Sequence, residues 1–367
     1  MMAILAGAAG VLILAFLGWG LYRRPAGAGA AQPVPGAAGS RSRAQPQAAS
    51  PAPPNGDGGE VLQAGLHALA LLPGAGTARA TGVQDTALLA AVTAALDAQD
   101  WSARHLPRRP QLLPQLIQTV NDSDASARSM ASIIGQDAVL TGNLLRIANS
   151  PVYRLQAKPV DSLQRAVTLV GTDGIRQIIS AVLVQPVMQL HSDAFPQFGT
   201  VVWEHALLAS RAAADHARLV THEDGFAAQW MGLTQGLGAA LVMRHLLDVA
   251  RDQGAAPSPP LASALLDAWT LPVASRIAAA WELPTSVHEA LLREADAPGG
   301  GLAASLHFAR AAASASLLCR HGRISQAQAL ALLEQLQDTP AHALQWIWRR
   351  LHGRAVETLE ADEPADA

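Results

Sequence analysis

Charge and aromatic rings are scarce in these 367 residues: 15% are charged, 4% are aromatic, and half are apolar. That balance excludes a disordered polyelectrolyte, which stays unfolded through high charge and low hydrophobicity. Cysteine occurs once, at Cys319, so neither a disulfide framework nor a Cys-rich zinc site can be built. Lysine also occurs once, at Lys158, and arginine carries nearly all the positive charge. The net charge of −3 is unevenly placed. Residues 1–56 hold Arg23, Arg24, Arg41 and Arg43 and no acid, which leaves 22 basic against 29 acidic residues, or −7, in the rest. An acidic body lacks the electrostatic footprint of a nucleic-acid binder.

From Met2 to Leu21 there is no charged residue. At 1.5 Å per residue a helix of that length spans about 30 Å, the thickness of a bilayer core. Trp19 and Tyr22 stand at the end of the run, followed at once by Arg23 and Arg24. A cleaved signal peptide carries its positive charge before the apolar run; here it comes after. Residues 1–24 therefore read as a single-pass anchor in the cytoplasmic membrane. The positive-inside rule makes it N-out, with the globular part in the cytoplasm. Residues 25–59, rich in Ala, Pro and Gly, read as a flexible linker.

From Glu60 onward apolar residues recur at helical spacing, with almost no strand-like alternation, and the fold class expected is all-α. Residues 60–105 form a helical hairpin, with helices over 60–72 and 85–98 broken by Pro73-Gly74-Ala75-Gly76. Start and stop signals then become dense. Short helices are expected over 112–120, 126–134 and 138–148. Ser162 caps a helix over 163–170, Gly171 ends it, and a nearly all-apolar core helix follows over 174–190.

The order of motifs in this block is specific: Leu112-Leu113-Pro114, the Asp122…Asp124 turn, Ile134-Gly135-Gln136-Asp137, Leu144-Leu145-Arg146-Ile147-Ala148-Asn149-Ser150, and Leu163-Gln164-Arg165-Ala166-Val167. Trp203-Glu204-His205 and Trp281-Glu282-Leu283-Pro284 come later. Over residues 106–298 the chain resembles the HDOD family (HD-related output domain), a bacterial signalling module related to HD phosphohydrolases. The resemblance implies a compact all-helical, non-catalytic domain used in regulation. Helices over 299–355 and an acidic tail, 356–367, flank it.

The same resemblance locates the place where catalysis would sit. HD enzymes hold a divalent metal with imidazole and carboxylate ligands, and the metal activates water. The matching stretch here is Gly232-Leu233-Thr234-Gln235-Gly236-Leu237-Gly238, so Thr234 and Gln235 occupy the His-Asp positions. His205 matches the first histidine of the set. Where late paired histidines sometimes stand, the chain has Leu292-Arg293-Glu294-Ala295. These are degenerate HD positions, and no catalytic residue, metal or cofactor is expected.

Other clusters read as structure. Asp215 and His216 are adjacent and point about 100° apart on a helix. His222-Glu223-Asp224 reads as a capping loop, Gly171 and Gly174 as a helix–helix turn, and Gly299-Gly300-Gly301 as a hinge. Cys319 reads as a buried structural thiol, and Trp203, Trp230, Trp269 and Trp281 as core. Trp346, Trp348, Arg349 and Arg350 read as an amphipathic capping helix. The function expected is regulation through a protein partner, with a small nucleotide as a candidate co-ligand. Two alternatives are a metal-dependent phosphohydrolase with ligands drawn from His205, Asp215, His216 and His222, and a structural envelope scaffold.

Overall fold

The computed structural model describes residues 58–74, 82–97, 190–296, 300–336 and 339–352 continuously, with shorter runs and single positions between 131 and 184. The expected membrane span, the linker and the acidic tail lie outside the described residues. The helices with defined bounds are α1 Gly58–Ala70, α2 Gly82–Asp97, α3 Phe198–His216, α4 Gly225–Asp252, α5 Pro259–Ala280, α6 Thr285–Asp296, α7 Leu302–Arg320, α8 Gln326–Glu334 and α9 Ala341–His352. A π-helical turn, Ala217–Thr221, extends α3. No strand occurs among the described residues.

Local chemistry explains the boundaries. Asp224 caps α4 by accepting from the Phe226 amide at 2.8 Å. Ser258 caps α5 by accepting from the Leu261 amide, and Pro259 follows it at the first helical position. Ser325 and Gln328 form a reciprocal capping box at the start of α8. Ser162 accepts from the Arg165 amide, as expected, and Gly171 takes a positive φ of 76°. The helix expected over 112–120 lies outside the described residues. Those over 126–134, 138–148 and 174–190 are helical at their described positions within these bounds, apart from Leu190 at the end of the last. Asn149 clamps the chain after its helix: Oδ1 accepts from the Val160 amide at 2.7 Å while Nδ2 donates to the Val160 and Leu145 carbonyls.

The centre of the fold is α4, buried at nearly every position from Gly225 to Met243. It packs on α3 along one side and α5 along the other, and α7 lies against α3 and α1. One hydrophobic core runs from Leu62 in α1 to Leu351 in α9, so the segments before and after the family-like block share its interior. Trp230 and Trp281 meet edge to face at 6.5 Å in that core. Trp203 and Trp269 are only partly buried. Among the described residues α7 alone is long and apolar enough to cross a membrane, and most of it is buried inside this core.

Two glycines set how closely α4 approaches its neighbours. A Cβ on Gly232 would lie 2.4 Å from the Ser210 Cα and amide nitrogen of α3, and one on Gly238 would lie 2.3 Å from the Thr270 carbonyl oxygen of α5. Backbone cannot yield as a side-chain tip can. Gly232→Ala should therefore cost about 1–3 kcal/mol in chemical denaturation. Gly142→Ala, which meets nothing within 4 Å, should be neutral or mildly stabilising.

Candidate functional site

The three residues singled out by sequence sit on two crossing helices: His205 in the second turn of α3, Thr234 and Gln235 in the middle of α4. All three are buried. Gln235 Nε2 approaches His205 Nδ1 at 3.4 Å. His205 Nε2 lies 3.2 Å from both the Arg310 carbonyl and the Ser314 hydroxyl of α7. The Ser314 hydroxyl donates to that same carbonyl. With an amide donating to Nδ1, the imidazole proton belongs on Nε2 and points at the carbonyl. Burial pushes the His205 pKa down to about 4, against a smaller opposing effect of the Arg310 hydrogen bond. The ring is neutral and its nitrogens are engaged.

Thr234 turns the other way, and its hydroxyl donates to the Trp230 carbonyl one turn back in α4. The structure therefore brings His205 and Gln235 together but not Thr234. A small cleft of about 30 Å³ opens beside them, on the scale of one or two waters. It is lined by His205 and Gln235, by Thr270 and Arg310, and by Gln63 and His67 of α1, with apolar residues between them. Among the described residues no carboxylate lines it. A divalent ion needs anionic or free lone-pair donors. Here the imidazole accepts an amide hydrogen, the hydroxyl is used within its helix, and the amide presents nitrogen. These residues do not fit a metal.

Partners of this centre from distant parts of the chain were invisible in sequence. His67 lies 138 positions from His205 in the chain, yet it lines the same cleft. Its Nδ1 is 2.8 Å from the Ser263 hydroxyl and 3.6 Å from Asp267 of α5, and its Nε2 meets Gln63 at 2.9 Å. Burial lowers its pKa, partly offset by Asp267. Arg310 donates to the buried Glu294 carboxylate at 3.3 Å, and His307 Nδ1 meets the same oxygen at 3.0 Å. Glu294 thus neutralises the Arg310 guanidinium beside His205 from outside the cleft.

The second cluster disperses. Asp215 faces Arg350 of α9 at 3.4 Å. His216, next to it, meets Ser305 and Thr339 and stacks on Phe308 at 4.6 Å. His222, Glu223 and Asp224 are exposed, and Asp224 caps α4. Gly301 begins α7 with φ 68°. Cys319 is half-buried rather than buried, because it closes the last turn of α7, and partial burial raises its pKa. In α9, Leu344, Ile347, Trp348 and Leu351 face the core, while Trp346 is exposed beneath the Arg350 guanidinium.

The neutral ring has a measurable consequence. Unfolded, His205 takes up a proton near pH 6.5; folded, it resists protonation down to about pH 4. Its contribution is fully present above pH 6.5 and is lost as pH falls through that window, by about 3 kcal/mol at most. Urea denaturation of the full chain from pH 7 to 4 should show this loss. A His205→Gln variant should be less stable at pH 7 and should lose less on acidification.

No curated protein matches the chain. Among solved structures, a provisionally named metal-dependent phosphohydrolase from Shewanella amazonensis SB2B is 20% identical, with 74% of this chain and 98% of that one covered and a TM-score of 0.51. An HDOD domain protein of unknown function from Geobacter sulfurreducens is 18% identical, with 77% and 98% covered and a TM-score of 0.48. At such identity the first likeness speaks for the fold alone. The HDOD domain pattern itself matches residues 106–297, just over half of the chain. This protein belongs to the HDOD domain family.

Proposed function

We propose that this is a membrane-anchored, non-catalytic regulatory protein that acts by binding another protein through its HDOD domain. The observation that carries this reading is the state of the polar centre. His205 and Gln235 satisfy each other, Thr234 bonds back to its own helix, and among the described residues no carboxylate lines the cleft beside them. Hydrolysis of a phosphoester needs an activated water held against a charged or metal-bearing site. Nothing in this donor set supplies that charge, whereas binding needs only surface and shape. The apolar run of residues 2–21 and the arginines after it support an anchor, N-out, that holds the domain at the cytoplasmic face.

Manganese titrated into the detergent-solubilised full chain should leave its Tm unchanged. A saturable rise that disappears in His205→Ala would restore the phosphohydrolase reading. Photo-crosslinking in intact membranes should yield one dominant signalling partner; recovery of envelope-assembly proteins instead would favour a scaffold. A periplasmic reporter fused after residue 60 should be inactive, and activity there would reverse the orientation.

A further inference from the structure

Helix α1 lies outside the matched family region, yet it occupies the surface that opens directly onto the polar centre. It packs chiefly on α7, with lesser contacts to α3, α8 and α5. Leu62, Leu66 and Leu69 form its buried stripe, the i, i+4, i+7 pattern of a helix laid in a groove. Gly65 lets it close on Leu318 of α7, where a Cβ would stand 2.8 Å from the leucine Cδ1. The seam is not wholly apolar. Gln63 and His67, also four apart, face the cleft that holds His205 and Gln235, and His67 latches onto Ser263 and Asp267.

We propose that α1 is an in-chain stand-in for the partner: it fills an acceptor groove for an amphipathic helix on α3, α5 and α7, and a partner helix of the same pattern displaces it. Three features argue for this over a permanent core element. A 13-residue helix is marginal alone, so its order depends on docking. Its polar contact with α5 is a latch from His67 to Ser263 and to Asp267, whose side chain is itself 56% exposed. The groove floor (Phe198, Val202, Leu266 and Leu318) belongs to helices that are held together by α4 and by one another without α1. The occupant is therefore a helix with leucine-like residues at i, i+4 and i+7, a small residue facing α7, and a polar pair at the cleft. This rests on the protein-binding reading above and specifies its chemistry.

Hydrogen exchange on the wild-type full chain tests the displacement directly. Amides of α1 should exchange at least about a hundredfold faster than those of α4, through local opening rather than global unfolding. Equal rates would overturn the proposal. A fluorescent peptide of residues 58–72 should then bind saturably to a Leu62→Asp/Leu66→Asp chain that remains helical by circular dichroism. It should bind at least about tenfold more weakly to wild type, whose groove is filled. Failure to bind the folded variant would also overturn it. If the variant does not fold, the wild-type exchange rates decide. A single crosslinked partner found in membranes alongside a negative peptide result would leave partner binding standing and remove only the groove.

Discussion

A polar group placed inside an all-helical core must be hydrogen-bonded, and His205 shows how this chain meets that demand with a neutral ring. Its ring joins three helices: α3 carries it, α4 offers the Gln235 amide, and α7 offers the Arg310 carbonyl and the Ser314 hydroxyl. A protonated imidazole there would lose solvation and would face Arg310, so the neutral form is the one compatible with the fold. The close approach of α3 to α4 at Gly232 brings the two backbones near enough for that exchange of hydrogen bonds. Remove the glycine and the imidazole loses its geometry; remove the imidazole and a buried amide loses its acceptor.

Charge is managed in the layer outside. Glu294 pairs with Arg310 and His307, and Asp215 pairs with Arg350. Both carboxylates are buried, and each faces an arginine from a different helix. The pairing ties α6 to α7 and α3 to α9, so the helices that flank the matched region contribute partners to its interior. α1 does the same from the other end of the chain. The described parts of residues 58–352 thus share one core, with the family pattern at its middle.

Much of this was legible in sequence because it depends on near neighbours. The helices expected over 60–72 and 85–98 appear as Gly58–Ala70 and Gly82–Asp97; caps and spacing set such boundaries to within two or three residues. Asp224 and Ser162 cap where short polar side chains before apolar runs should cap. Trp230 and Trp281 are core, as expected of large rings in a low-aromatic domain, whereas Trp203 and Trp269 are only partly buried against it. What sequence could not give is pairing over distance. His67 and Arg310 approach His205 from about 100 or more positions away, and no periodicity reports which turn of which helix will meet it. The buried state of Glu294 is hidden for the same reason, since an acid in an amphipathic helix reads as solvated until its partner is known. Cys319 differs because one turn decides its exposure: Leu317 and Leu318 are buried, and the next residue faces the edge.

Thr234 and Gln235, which match the His-Asp positions by resemblance, suit a neutral centre. A buried aspartate at position 235 would place a negative charge against a neutral imidazole, with Arg310 already committed to Glu294. Without a metal that charge would have to be protonated or paired anew, at several kcal/mol. Glutamine, one methylene longer than aspartate, donates to Nδ1 without bringing a charge, and threonine folds its hydroxyl back onto its own helix. As they stand, His205 and Gln235 form a neutral hydrogen-bonded pair and Thr234 bonds within its own helix. In the proposed reading this pair shapes the seam in which α1 places Gln63 and His67. Specificity in such a seam comes from which helix can satisfy it.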